Sequence, residues 1–175
     1  LGPMSRRVLL ALCLCALSAF AQRPAYERAR TLFERTQYTE ALQLLDSQKS
    51  RTANDWNLTG RCQYMLGDYK RATESFERAT QIDPSSSTHW HWLGRTYGRR
   101  AEVSTFLTAP GYASKARQNF EKAVAVDPKN GEAINDLFEF YLQAPGFLGG
   151  GLDKAQALLT KIEAIDPAEK HYAMA

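Results

Sequence analysis

Cysteine is scarce in this chain, which has three in 175 residues. Cys13 and Cys15 stand in an apolar N-terminal leader, so Cys62 would be the lone cysteine once that leader is removed. A lone thiol on a helix is more often a small buried residue than a nucleophile or half of an intermolecular disulfide. We therefore predict that Cys62 belongs to the core and that no disulfide framework supports the fold.

A large excess of one charge is also lacking. The formal net charge is +3, and removing Arg6 and Arg7 with the leader reduces 22 basic residues to 20, against 19 acidic ones. A protein that binds nucleic acid or another polyanion is expected to carry a clear basic excess. The composition therefore argues against nucleic acid as a partner.

The apolar run at residues 8–17 is shorter than the ~20 residues that a membrane-spanning helix needs. It follows Arg6-Arg7 and precedes Ala19-Phe20-Ala21, an arrangement typical of a secretory signal peptide. We predict a signal peptide at residues 4–21, cleaved after Ala21, and an exported protein. Residues 1–3 precede Met4 and are excluded as non-native.

A retained leader is the alternative. Residues 8–21 would then form an apolar helix that tethers the chain to a membrane or joins copies into a homo-oligomer. Sequencing the N-terminus of the native protein separates the two cases, because cleavage exposes Gln22 whereas retention leaves Met4 or Ser5.

What the chain does contain is a helical spacing of large and small residues in residues 53–86. These residues recur three or four positions apart on either side of Gly67, and the second series ends at a proline that cannot donate a backbone hydrogen bond. In chain order they are Trp56, Gly60, Tyr64, Ala72, Phe76, Ala79 and Pro84. The spacing predicts two amphipathic helices joined by a tight turn, with small residues where the two helix backbones cross closely.

This pattern resembles the tetratricopeptide repeat, a helix-turn-helix unit of about 34 residues. Its second half recurs with the same spacing from Ala116 and from Ala155, and a weaker copy starts at Ala41. The resemblance implies an all-α fold, a right-handed α-solenoid of about four units. We place this domain at residues 22–167, with 168–175 beginning a capping or further helix. The units are 22–52, 53–86, 87–130 and 131–167. In the first of them we predict helices at residues 25–36 and 39–50.

Residues 92–102 and 144–151 also resemble exported bacterial tetratricopeptide proteins, which implies a periplasmic location and adds little about chemistry.

Two insertions lengthen the third and fourth units. Pro84 and Pro128 are 44 positions apart, and Pro128 and Pro167 are 39 apart, although the usual period is about 34. Because the first helices start in register, the surplus is expected between the two helices of each unit. We predict that residues 98–107 continue the first helix of the third unit and that residues 108–112 form its turn. Both insertions would project from one side as a single patch.

The resemblance also implies that the first helices of the units line a concave groove for a peptide or a partner's helix. The face of these helices not used for packing carries Tyr26, Arg30, Phe33, Asn57, Arg61, Tyr64, His91, Trp92, Arg95 and Arg99. Arg30, Arg61 and Arg95 occupy the same place in three units, which predicts an arginine ladder suited to carboxylates, and Glu139 takes this place in the fourth unit. The alternative is that these arginines are solvated or pair with neighbours such as Glu27 and Glu139.

Enzymatic motifs are missing from the sequence. Gly149-Gly150-Gly151 lacks the Gly-Lys-Ser/Thr of a phosphate-binding loop, so we predict a plain turn. His89 and His91 are two positions apart on a helix and point to different sides, so they are poorly placed to hold one metal. We expect both to be surface or groove residues. We predict a non-enzymatic protein-interaction module without cofactor or metal, whose partner is a protein or peptide with acidic segments. A self-assembling or membrane-tethered scaffold is the alternative.

Overall fold

The computed structural model describes residues 25–165, with side chains through residue 163, and helix is the only regular structure in this range. The all-α prediction is therefore confirmed. The predictions for the signal peptide, for an oligomer formed through residues 8–21 and for residues 168–175 lie outside the described residues. The chain forms two compact units, one ending at Arg51 and the next beginning at Thr52. No helix of the described part combines the length and the apolar character needed to cross a membrane.

The first unit contains two helices, α1 at residues 25–34 and α2 at Tyr38–Asp46. The sequence predicted longer helices, at 25–36 and 39–50. Helix α1 ends early because Thr36 adopts a left-handed φ of 60°.

Helix α2 ends early because local side chains bond to the carbonyl of Leu44. The hydroxyl of Ser47 donates to this oxygen at 2.7 Å, and the side-chain amide of Gln48 does so at 3.1 Å. Side chains of this kind compete with the backbone for helical hydrogen bonds.

The second compact unit, which begins at Thr52, consists of three successive helix pairs, and each pair is joined by a turn. The helices are α3 (Ala53–Met65), α4 (Tyr69–Ile82), α5 (Ser87–Glu102), α6 (Ala109–Val126), α7 (Gly131–Gln143) and α8 (Leu152–Ile165), with a short 3-10 helix at Gly146–Leu148 between the last two. Helix α3 begins with a capping box in which Thr52 and Asp55 bond to each other's backbone amides. The side chains of Asp68 and Asn130 cap α4 and α7 in the same way, by accepting from a backbone amide of the first turn.

Glycines allow the helices of the first two pairs to approach closely. A methyl group added at Gly60 would lie 2.8 Å from the ring of Phe76, and one added at Gly94 would lie 2.6 Å from the ring of Phe120. The small residues expected at these helix crossings are thus found there. In α7, Phe138 replaces the glycine, and α7 and α8 make fewer close contacts than either of the earlier pairs.

The insertion in the third repeat unit, residues 87–130, differs from the prediction. Helix α5 ends at Glu102 instead of continuing to residue 107, and residues 109–112 form the first turn of α6 rather than a bend. Pro110 is compatible with this start of α6, because it lies in the first turn, where a missing amide proton costs no helical hydrogen bond. The connecting turn is residues 103–108, and the amide of Ala109 donates to the carbonyl of Thr105 at 2.9 Å.

Candidate functional site

An aromatic cluster lies where α3, α4 and α5 meet in the second unit. Trp92 stacks on Phe76, with ring centroids 6.0 Å apart and planes at 16°, and it meets Tyr64 edge-on at 5.5 Å. Burial raises the pKa of Tyr64, although the nearby Arg95 and Arg99 act in the opposite direction. The arrangement holds the half-buried indole of Trp92 in a fixed position.

Two of the predicted arginines converge on this indole. The guanidinium carbon of Arg61 lies 4.9 Å from the centroid of the Trp92 ring, and that of Arg95 lies 4.8 Å from it. These distances are within the range of cation–π attraction. We call Tyr64, Phe76, Trp92, Arg61 and Arg95 the Trp92 cluster. It places two positive charges from neighbouring repeats on one aromatic platform.

Acidic residues of α7 face the cluster from the next repeat. Asp136 Oδ2 lies 2.7 Å from Nε2 of His91 and 3.6 Å from Nε of Arg95. Glu132 Oε2 lies 3.7 Å from Nδ1 of His91, whose side chain is only 1% exposed. The α7 carboxylates therefore hold His91 and orient Arg95.

A cleft of about 220 Å³ opens beside the Trp92 cluster. Helix α5 contributes Arg95 and Arg99 to its wall, and α7 contributes Asp136 and Glu139. Tyr64 and the aromatic rings of Phe120 and Phe140 supply apolar surface. The cleft thus combines a basic wall, an acidic wall and aromatic surface, which suits a polypeptide better than a uniformly charged ligand.

Three of the predicted groove residues belong to the first unit. Arg30 pairs there with Glu34 at 3.0 Å and with Glu27 at 4.0 Å, as the alternative interpretation anticipated for Glu27. Tyr26 and Phe33 are half-buried, and Phe33 packs on Tyr38 with ring centroids 5.3 Å apart. The arginine ladder is described for Arg61 and Arg95 and stays a prediction for Arg30.

The remaining groove predictions lie in the second unit but differ in accessibility. Asn57 is buried, and its Nδ2 has no hydrogen-bond partner among the described residues. His91 is buried beneath α7, so a ligand would meet its carboxylate partners first. Arg99 is exposed and forms an ion pair with Glu102. Arg95 and Arg99 thus form the basic wall of the cleft, and the half-buried Trp92 lies beneath Arg95.

Sequence reasoning missed the contribution of Glu132 and Asp136. It named only Glu139 on this helix, as the residue in the arginine position of the fourth unit. The spacing of Glu132, Asp136 and Glu139, four and three positions apart, is a signal for one acidic helical face. That signal could have indicated carboxylates facing the arginines of α5.

The other chemical motifs have structural roles in the described range. Gly149, Gly150 and Gly151 donate their amides to the carbonyls of Gly146, Pro145 and Tyr141, so these amides are not available to an anion. No group of three or more His, Cys, Asp or Glu side chains between residues 25 and 163 is placed to hold a metal ion.

Cys62 and His89 are both core residues. Burial raises the pKa of Cys62 to about 12, which keeps the thiol protonated, as expected for a structural cysteine. His89 is also buried, which corrects the expectation that it lies at the surface or in the groove. Burial lowers its pKa, and the nearby Asp83 opposes this shift.

The second compact unit is a helical-repeat structure. Its three helix pairs stack through small and aromatic residues, and the first helix of each pair contributes to the cleft. Comparison with known families agrees. Residues 53–86 match the tetratricopeptide repeat model. No curated protein matches the chain.

Solved structures of tetratricopeptide proteins share the fold. The thermophilic protein TTC0263 of Thermus thermophilus is 19% identical with a TM-score of 0.66, and the match covers 88% of this chain and 83% of that one. MamA of Desulfovibrio magneticus is 17% identical with a TM-score of 0.64, covering 83% and 76%. The human IFIT1 dimer with PPP-AAAA is 19% identical with a TM-score of 0.67, covering 83% of this chain but 33% of IFIT1.

Residues 53–86 are a tetratricopeptide repeat, and the chain has the fold of tetratricopeptide-repeat proteins. Stacked repeats of this kind generally mediate contacts between proteins rather than catalysis.

Proposed function

We propose that this protein binds a segment of a partner protein in the cleft beside the Trp92 cluster and acts without catalysing a reaction. The observation that carries this proposal is the convergence of Arg61 and Arg95 on Trp92, next to a cleft of about 220 Å³. Aromatic and arginine side chains in a preformed hollow are the groups that contribute most to binding energy at protein interfaces.

The charges around the cleft support a polypeptide ligand with an acidic residue at its centre. Arg95 lies 3.6 Å from Asp136 and Arg99 forms an ion pair with Glu102, and both guanidinium groups stand at the cleft wall. A carboxylate of the ligand would receive charge-assisted hydrogen bonds from these guanidinium groups, and an apolar side chain beside it would cover Trp92. The acidic wall formed by Asp136 and Glu139 would accept a basic residue further along the same segment.

The test is selection of binding peptides from a random displayed library on the immobilised full chain. The affinity of the enriched peptides is then measured by fluorescence anisotropy. We expect acidic residues next to aromatic or aliphatic ones, and we expect the Arg61→Glu/Arg95→Glu variant to bind at least about tenfold more weakly, because it replaces attraction by repulsion.

Arg78→Glu is the matched control. Arg78 also rests on a tryptophan, with its guanidinium carbon 4.8 Å from the Trp56 ring, but it lies on the second helix of its repeat, away from the cleft. This variant should bind the peptides like the unmodified chain. Equal affinity of the double variant and the unmodified chain, with both folded by circular dichroism, would refute the groove assignment.

A further inference from the structure

Exposed apolar side chains are concentrated at one end of the helix pairs in the second unit. Among the described residues, nine large hydrophobic side chains are exposed, and eight of them lie at or beside the turns that join α3 to α4, α5 to α6 and α7 to α8. Phe106 and Phe147 are the most exposed, at 84% and 82%. Only Ile82 lies at the opposite end, where α4 leads into α5.

The topology brings these turns to a common edge. Helices α3, α5 and α7 contact one another in sequence, and each reverses direction into its partner helix through one of the three turns. The three turns therefore lie side by side. We call segments 65–71, 99–108 and 143–154 the turn edge.

The charge of the turn edge has the opposite sign to that of the other edge. The three segments of the turn edge contain five basic and three acidic residues. Segments 82–88 and 126–132, which connect successive repeats at the other edge, contain one basic and three acidic residues. Lys70, Arg71 and Lys154 are exposed beside the apolar side chains of the turn edge.

Backbone hydrogen bonds hold the two most exposed tips in place. In the turn that carries Phe106, the amides of Thr108 and Ala109 both donate to the carbonyl of Thr105, at 3.0 and 2.9 Å. In the turn that carries Phe147, the three glycine amides bond to the carbonyls of Gly146, Pro145 and Tyr141. These phenylalanines are therefore presented outward by ordered turns and are not parts of loose loops.

We propose that the turn edge binds the surface of an anionic lipid bilayer. Its apolar side chains project from three separate turn tips, a shape that a fluid bilayer accommodates without a complementary pocket. The basic residues around them match the negative potential of anionic headgroups. The Trp92 cluster lies outside the turn edge, although Arg99, Glu102 and Gln143 belong both to the turn edge and to the lining of the cleft.

The test is co-sedimentation of the full chain with vesicles of phosphatidylglycerol and phosphatidylcholine, and with vesicles of phosphatidylcholine alone. We expect binding to the anionic vesicles that weakens at high salt, and weaker binding to the neutral ones. The Phe106→Ser/Leu107→Ser variant should lower the partition coefficient at least about tenfold, because each large apolar side chain contributes substantially to insertion.

Ile82→Ser is the matched control, since it removes an exposed apolar side chain from the opposite edge. It should bind vesicles like the unmodified chain. Because residues 8–17 are apolar, all variants are compared in the same full chain. A direct readout is Leu107→Trp, whose fluorescence should shift to the blue on vesicles and be quenched by brominated lipid tails.

Three results would overturn the proposal. The first is binding of the Phe106→Ser/Leu107→Ser variant to vesicles as tightly as the Ile82→Ser variant. The second is fluorescence of vesicle-bound Leu107→Trp that brominated lipid tails do not quench. The third is a dimer in lipid-free sedimentation velocity that dissociates in the Phe106→Ser/Leu107→Ser variant. That dimer would assign the turn edge to a second copy of the chain.

Discussion

The contact between Gly94 and Phe120 gives the sharpest test of the helix packing. In Gly94→Ala, the new methyl carbon would lie 2.6 Å from Cδ1 and 2.7 Å from Cε1 of the Phe120 ring. Phe120 is buried in the core cluster among Ala116, Ala123 and residues of α7, so its ring cannot rotate away freely. Helices α5 and α6 must therefore separate, or the ring must adopt a strained rotamer.

Two opposing terms determine the expected change in the free energy of unfolding. Overpacking a well-packed core costs about 1–3 kcal/mol. Replacing glycine by alanine within a helix returns up to about 1 kcal/mol, because alanine loses less backbone entropy. Because the contact is much closer than van der Waals distance and involves a buried ring, we expect a net destabilisation of about 1–2 kcal/mol.

Gly98→Ala is a control on the same helix. A methyl group at Gly98 would meet nothing within 4 Å, so only the helix-propensity term applies. We expect the free energy of unfolding of this variant to rise by about 0.5–1 kcal/mol. Both substitutions replace glycine by alanine, but they are predicted to change the free energy of unfolding in opposite directions. A general effect of alanine therefore cannot explain the difference between them.

The assay is urea denaturation followed by far-ultraviolet circular dichroism and by tryptophan fluorescence. Agreement of the two probes is needed, since repeat proteins can unfold in parts. A Gly94→Ala variant as stable as the unmodified chain, or one shifted in the same direction as Gly98→Ala, would refute the close crossing of α5 and α6.

Two further predictions follow from buried titratable groups. Because burial raises the pKa of Cys62 to about 12, the folded protein should leave this thiol unlabelled by iodoacetamide at about pH 8, whereas denatured protein should be labelled there, as peptide mass spectrometry would detect. Burial lowers the pKa of His89 below its ordinary value of about 6.5, so the unfolded chain binds a proton first as pH falls. The free energy of unfolding should therefore decline below about pH 6.5, and His89→Gln should flatten this decline in urea titrations. Labelling of Cys62 in the folded protein would contradict the first assignment, and an unchanged slope in His89→Gln would contradict the second.

Local spacing was enough to predict much of the fold. The pairing of Gly60 with Phe76 could be inferred because helical periodicity places small and large residues on one face within each helix. The end of α5 could not be inferred in this way. Pro110 and Gly111 suggest a turn by composition, yet proline is also well tolerated in the first turn of a helix.

The candidate site depended more on contacts between repeats. The sequence placed Arg61 and Arg95 at equivalent positions, and the structure describes both beside Trp92. The link from Asp136 to His91 and Arg95 was missed, because it depends on how α7 is rotated and displaced against α5. The acidic face of α7 can be read from its spacing, but which carboxylate meets His91 and Arg95 is set by the packing of the whole repeat.

The position of the third-unit insertion has a consequence for how such a chain can diversify. Its surplus residues lengthen α5 and α6 at their shared turn, and α7 still starts beside Asn130 as the next repeat requires. Added length at that end leaves the stacking of later units undisturbed. Mutations can therefore change the length and sequence of these turns while the stacked repeats keep their geometry.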